Sequence, residues 1–200
     1  TIWNIRFINS YLRYNKRLSE KVNFTSTLYN RNATVLDNSV EFVTDTAQFG
    51  YYRPNNLIGI ENIFSYNIKG NFFLTSGLTF EYEQLAKQFS ITNSNSPTVK
   101  PPTPEAPDME NNFLASVFVE PRLSLFNSLF LSGGLRFDYS TVYDQVLTPR
   151  LGISYKLGNH IFRVSYSEAF RAPKPWDYTD GIGNSDLLPE KMKSIEIASK

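Results

Sequence analysis

Residues 129–140 alternate with a period of two. Leu129, Leu131, Gly133, Leu135, Phe137 and Tyr139 fall on one side, and Phe130, Ser132, Gly134, Arg136, Asp138 and Ser140 on the other. Only extended backbone sends successive side chains to opposite faces, so this stretch is predicted to be a strand with one greasy and one polar face. The run before it repeats the pattern, with Phe113, Ala115, Val117, Val119, Leu123 and Leu125 set against Ser116, Glu120, Arg122 and Ser124. Pro121 lies inside that run and cannot donate a ladder hydrogen bond, which predicts a bulge or a local strand end there. Similar runs pair at 57–66 with 72–82, at 151–156 with 161–167 and at 3–11 with 22–29, while 194–198 begins a ninth strand. The chain is predicted to be all-β.

Residues that face each other across an antiparallel pair lie on the same face, so each hairpin register can be tested on the sequence. Around Lys69 and Gly70, Tyr66 is expected opposite Phe72, Phe64 opposite Leu74, Ile60 opposite Leu78 and Ile58 opposite Phe80, with the polar Asn62 and Ser76 facing each other. Gly158 and Asn159 suit a two-residue primed turn that sets Tyr155 against Phe162, Ile153 against Val164 and Leu151 against Tyr166. A turn near Arg17 and Leu18 would set Tyr11 against Phe24 and Asn9 against Ser26.

The connections then alternate in length: short after Tyr14, long at 30–56, short near Lys69, long at 83–112, short at Asn127, medium at 141–147, short at Gly158 and long at 171–190. A soluble sandwich has no reason to segregate them, whereas an outer-membrane barrel places short turns inside and long loops outside. Strands of about ten residues, tilted near 45°, also match the apolar band of about 25 Å in such barrels. Trp3, Tyr11, Tyr66, Tyr139, Tyr155 and Tyr166 stand where an interfacial girdle would anchor. The predicted fold is a transmembrane antiparallel up-and-down β-barrel segment, about eight to nine strands of a larger barrel. The Pro-rich stretch 97–107 is expected to be a solvated, extended loop.

Composition excludes several classes. With 20 basic and 19 acidic residues, no strong field draws the chain to nucleic acid. The absence of cysteine rules out a disulfide or a thiolate metal site. No stretch approaches the roughly 18 consecutive apolar residues of a spanning helix. Residues 1–14 have neither the basic start nor the apolar core of a signal peptide. No catalytic constellation, metal site or cofactor is expected. His160 reads as a solvated turn residue. The carboxylates of Glu61, Glu120 and Asp138 fall on the polar face, where an ion pair between Glu120 and Arg136 is expected. Aromatics beside charges in two long loops are candidate ligand contacts: Tyr51, Tyr52 and Arg53 in one, Trp176, Asp177, Tyr178 and Asp180 in the other.

Three pieces of the last third, 148–155, 162–173 (Phe-Arg-Val-Ser-Tyr-Ser-Glu-Ala-Phe-Arg-Ala-Pro) and 188–197 (Leu-Pro-Glu-Lys, then Ser-Ile-Glu-Ile), resemble the barrel of TonB-dependent receptors in order and spacing. The resemblance covers about 50 residues, and the first 147 agree by strand pattern alone. It implies a barrel of about 22 strands with a plugged lumen in the bacterial outer membrane. This chain would supply one part of it, with the plug, the TonB box and the C-terminal strand lying elsewhere. It further implies outer-membrane lipid and the TonB complex as partners, the latter through the plug. The ligand would be a metal chelate such as a ferric siderophore, cobalamin, or in some members a glycan or peptide. Among the motif residues, Phe170, Arg171, Ala172, Pro173, Pro189 and Glu190 read as structural: Pro173 ends a strand and Pro189 restricts the entry to the next. A passive porin-like channel, another non-transport barrel and a soluble β-rich module are the competing readings.

Overall fold

A computed structural model describes residues 1–44, 47–96, 98–174, 177, 184 and 186–200. They build one antiparallel sheet of eleven strands. These are β1 (Ile5–Ser19), β2 (Val22–Thr44), β3 (Ala47–Arg53), β4 (Asn55–Lys69), β5 (Phe72–Ala86), β6 (Ser90–Ser94), β7 (Met109–Leu125), β8 (Leu129–Ser140), β9 (Asp144–Leu157), β10 (His160–Arg171) and β11 (Glu190–Ser199). Nine of them, β1, β2, β4, β5, β7, β8, β9, β10 and β11, pair in chain order as a continuous wall. The other two occupy stretches expected to be loops. β3 pairs with the upper end of β2, and β6 pairs with β3, so the sheet continues past the wall at the long-loop end.

Period-two patterning produces two unlike faces. One register row on the outer face reads Leu12, Leu28, Ile60, Phe80, Ala115 and Tyr139. The matching inner row reads Arg13, Thr27, Glu61, Thr79, Ser116 and Asp138. Among the described residues, no second layer covers the apolar side. The buried apolar ones among the described residues are few (Val35, Val40, Ala86, Tyr143 and Val146), whereas Leu151, Leu135, Phe137 and Ile153 stand exposed. A soluble sandwich would bury that face, so its exposure belongs to a wall solvated by lipid.

Several registers differ from expectation. Around Gly158, at φ 59°, Tyr155 meets Phe162, Ile153 meets Val164 and Leu151 meets Tyr166 as the primed turn dictates. In the β4/β5 hairpin the turn is Gly70-Asn71 and Ile68 is bulged, so Tyr66 meets Leu74 and Phe64 meets Ser76. Asn62 therefore faces Leu78, and the expected pairing of Asn62 with Ser76 does not form. The shift is two residues, which leaves every face unchanged. The first hairpin turns at Glu20 and Lys21, later than expected, so Tyr11 meets Tyr29 and Phe24 meets Lys16. This places Tyr11 in the inner row with Gly59 and Glu81, not in an outer girdle. Pro121 causes no bulge. It pairs in register with Leu74, and the ladder toward β8 merely skips Glu120 and Pro121. Gly133 stands across from it, and a Cβ there would lie 3.6 Å from Pro121 Cγ, an ordinary contact, so the ring fits without needing a glycine opposite. In the Pro-rich stretch, Pro101 and Pro104 are buried rather than solvated. Pro101 packs on Gly50, and the Thr92 hydroxyl donates to the Pro102 carbonyl at 2.5 Å.

Candidate functional site

The chemistry-bearing side chains gather on the inner face and at the long-loop end. Midway along the wall, Arg136 donates from Nε and Nη2 to both oxygens of Asp138 at 2.7–2.9 Å, and from Nη2 to Ser116 Oγ at 2.9 Å. Asp138 is only 1% exposed, so this carboxylate is held by a bidentate guanidinium with little solvent nearby. The expected pair of Arg136 with Glu120 does not form. Glu120 stands diagonal to Arg136, and the i, i+2 spacing along β8 brings Asp138 onto the same face and closer. Glu120 instead pairs with Arg150 and lies 3.7 Å from Arg122.

Glycines on the inner face let large side chains lie flat across the sheet. The Tyr29 ring covers Gly59, where a Cβ would come within 2.6 Å of it, and its hydroxyl donates to Glu81. The Phe118 ring covers Gly77 in the same way. Above these, Asn112 donates to Glu83 at 2.8 Å and accepts from Ser140 at 2.7 Å. Tyr143, in the turn after β8, packs on Phe170 with ring centroids 5.7 Å apart. Burial, reinforced by the negative charge of Asp138, pushes its phenol up to about 12.

Beyond the wall, Trp3 stacks on Tyr51 at 5.0 Å, and both meet the edge of Phe89, at 6.1 Å and 5.8 Å. The Arg53 guanidinium lies 4.3 Å over the Phe89 ring. Tyr51 donates to Glu41 at 3.0 Å, and burial followed by this carboxylate raises its phenol above the ordinary value. Burial lowers Arg53. Trp3 thus belongs to this outer cluster, not to a girdle. Tyr52, on the opposite side of β3 from Tyr51, pairs with Ser90. Phe89 went unnoticed in the sequence because a single Phe in a polar stretch carries no pattern of its own.

In the second candidate loop, Asp177 accepts a hydrogen bond from the Lys174 amide at 2.9 Å. Trp176, Tyr178 and Asp180 lie outside the described residues. Arg171 and Glu190 pair at 2.7 Å across the base of this loop, with Ala172 and Pro173 following one strand and Pro189 preceding the other. No cluster of three or more His, Cys, Asp or Glu that could hold a metal occurs among the described residues. His160 opens β10 and is exposed.

A single antiparallel wall with an apolar outer face, a charged inner face and tall extensions on one side is the architecture of a transmembrane β-barrel. The chain belongs to the TonB dependent receptor-like β-barrel family, whose model matches residues 1–200. No curated protein matches it significantly. Solved structures resemble it in fold. The unliganded ferric citrate transporter FecA aligns with a TM-score of 0.75 at 13% identity, covering 98% of this chain and 32% of that one. The siderophore receptor PirA from Acinetobacter baumannii aligns at 0.70 and 15% identity, covering 99% and 32%. The copper transporter OprC aligns at 0.75 and 12% identity, covering 98% and 36%. The chain therefore spans about a third of the length of these structures.

Proposed function

We propose that this chain is part of the wall of an outer-membrane receptor that captures a scarce nutrient outside the cell and imports it with energy supplied through TonB. Metal chelates such as ferric siderophores are the favoured ligands, with cobalamin next. The observation that carries this reading is the face formed by Trp3, Tyr51, Phe89 and Arg53 at the long-loop end of a wall of this family. Aromatic faces beside a guanidinium suit a flat or anionic ligand. Tyr51 and Arg53, together with Tyr52 and the loop residues Trp176, Asp177, Tyr178 and Asp180, are the proposed contacts. Phe170, Arg171, Ala172, Pro173, Pro189 and Glu190 are proposed to shape the loop and not to touch the ligand. In this reading a plug and the closing strands are supplied by other parts of the protein.

The test is uptake of the limiting nutrient by cells with and without TonB, together with ligand binding to the purified full-length receptor. Uptake should require TonB, and removing residues 172–188 should weaken binding before it disturbs folding, because loops tolerate deletion better than strands. Uptake that persists unchanged without TonB would replace this reading with passive diffusion.

A further inference from the structure

The outer face changes chemistry abruptly toward its long-loop end. Above the apolar row of Leu12, Leu28, Ile60, Phe80, Ala115 and Tyr139 comes a mixed row of Ser10, Asn30, Ile58, Tyr82 and Phe113. The next row is Ile8, Asn32, Asn56, Gln84 and Asn111: four carboxamides side by side on β2, β4, β5 and β7. No charged side chain stands in either of these two rows. The carboxamides are linked as well as aligned. Asn30 donates to Asn56 at 3.0 Å, and Tyr82 donates to Asn111 at 3.0 Å. Directly below them a shallow groove of about 190 Å³ opens on the outer face between Leu28, Ile58, Ile60, Phe80, Tyr82 and Phe113.

We infer that this carboxamide row and the apolar groove beneath it form a binding site for a membrane lipid with a saccharide headgroup. The occupant follows from the continuity of the patch with the lipid-facing wall and from its chemistry. A groove on that wall is solvated by acyl chains. Asn111 Oδ1 already accepts from Tyr82 and Gln84, and Asn32 donates to the Asn55 carbonyl, so a headgroup at the height of the row meets the remaining neutral amide N–H donors and carbonyl lone pairs, which match sugar hydroxyls. A row selecting phosphate or anionic headgroups would carry Lys or Arg, and this one carries neither.

Two lipids that share one anchor separate headgroup from chain: digalactosyldiacylglycerol and phosphatidylethanolamine with matched acyl chains. Native mass spectrometry of the full-length receptor in mixed micelles reads how much of each is retained. The wild type should favour the galactolipid about tenfold, the effect of one or two net hydrogen bonds. The combined substitution Asn32→Ala, Gln84→Ala and Asn111→Ala should abolish that preference and leave phosphatidylethanolamine unchanged. Should the triple variant fail to assemble, Asn32→Leu, Gln84→Met and Asn111→Leu keep the side-chain bulk, remove both the amide donors and the acceptors at these positions, and should also lower galactolipid retention. Phe80→Ala should lower retention of both lipids through the groove. Equal retention of the two lipids by the wild type overturns the inference, as does an undiminished preference in a folded carboxamide variant.

Discussion

The Arg150 side chain lies across Gly134 to reach Glu120, so an ion pair on the inner face spans three strands, from β9 over β8 to β7. The crossing depends on the missing Cβ, because any side chain at 134 would occupy the space where Arg150 Cγ lies.

Gly134→Ala is expected to push Arg150 off Glu120 and cost about 1 kcal/mol, a small loss because solvent screens a half-exposed arginine. Urea unfolding of the refolded receptor measures it. Glu120→Gln should lose a similar amount, and the double variant should lose less than the sum, since both break one contact. Fully additive losses would show that Gly134 acts through something other than Arg150.

The two faces of β8 predict unequal tolerance of charge. Leu135 points to the outside and Ser132 to the inside, opposite Gly152 and Arg122. Leu135→Arg should cost about 2–4 kcal/mol of membrane insertion, and Ser132→Arg should cost little because water reaches it. A heat-modifiability gel reads the assembled fraction. Equal assembly of the two variants would mean that the faces are reversed.

Topology can be read on cells. Glu105 and Ala106 are exposed within the Pro-rich segment, and Gly158 lies at the opposite end of the wall. A tag after Glu105 should be labelled on intact cells, and one after Gly158 only once the outer membrane is permeabilised. The inverse labelling pattern would turn the wall upside down.

The Tyr143 phenol, pushed from 10.0 to about 12 by burial and Asp138, gives an alkaline signature. A group with a raised folded-state pKa contributes its stability fully below the unfolded value and loses it as pH rises through the folded one. Stability should therefore fall between pH 10 and about 12. Tyr143→Phe should make that fall shallower, read as the midpoint of urea unfolding at each pH. An identical alkaline slope in wild type and variant would place the titrating group elsewhere.

How far each hairpin was legible depended on its turn. Gly158-Asn159 permits one tight geometry, and that register could be read to the residue. Lys69-Gly70 left the position of a bulge open, and the resulting slip of two moved partners without moving faces. Glu20-Lys21 carries no turn chemistry, so the first register slipped by an odd number and Tyr11 changed sides. The cluster of Trp3, Tyr51 and Phe89 was illegible for another reason. Its members come from distant parts of the chain, and the bridge of Ile2 to Val40, the pairing of β2 with β3 and the bend after β5 bring them together.

β2 runs for 23 residues, yet only those up to Asn32 pair with β4 in the wall. The remaining dozen or so, at about 3.3 Å each, stretch roughly 40 Å further along the strand direction. They carry β3, and through it β6, past the end of the nine-stranded wall. In the proposed receptor, a diffusing solute meets this mast before it meets the mouth of the barrel. Height enlarges the target for encounter, and the interlocked backbone of three strands keeps that target from collapsing onto the surface.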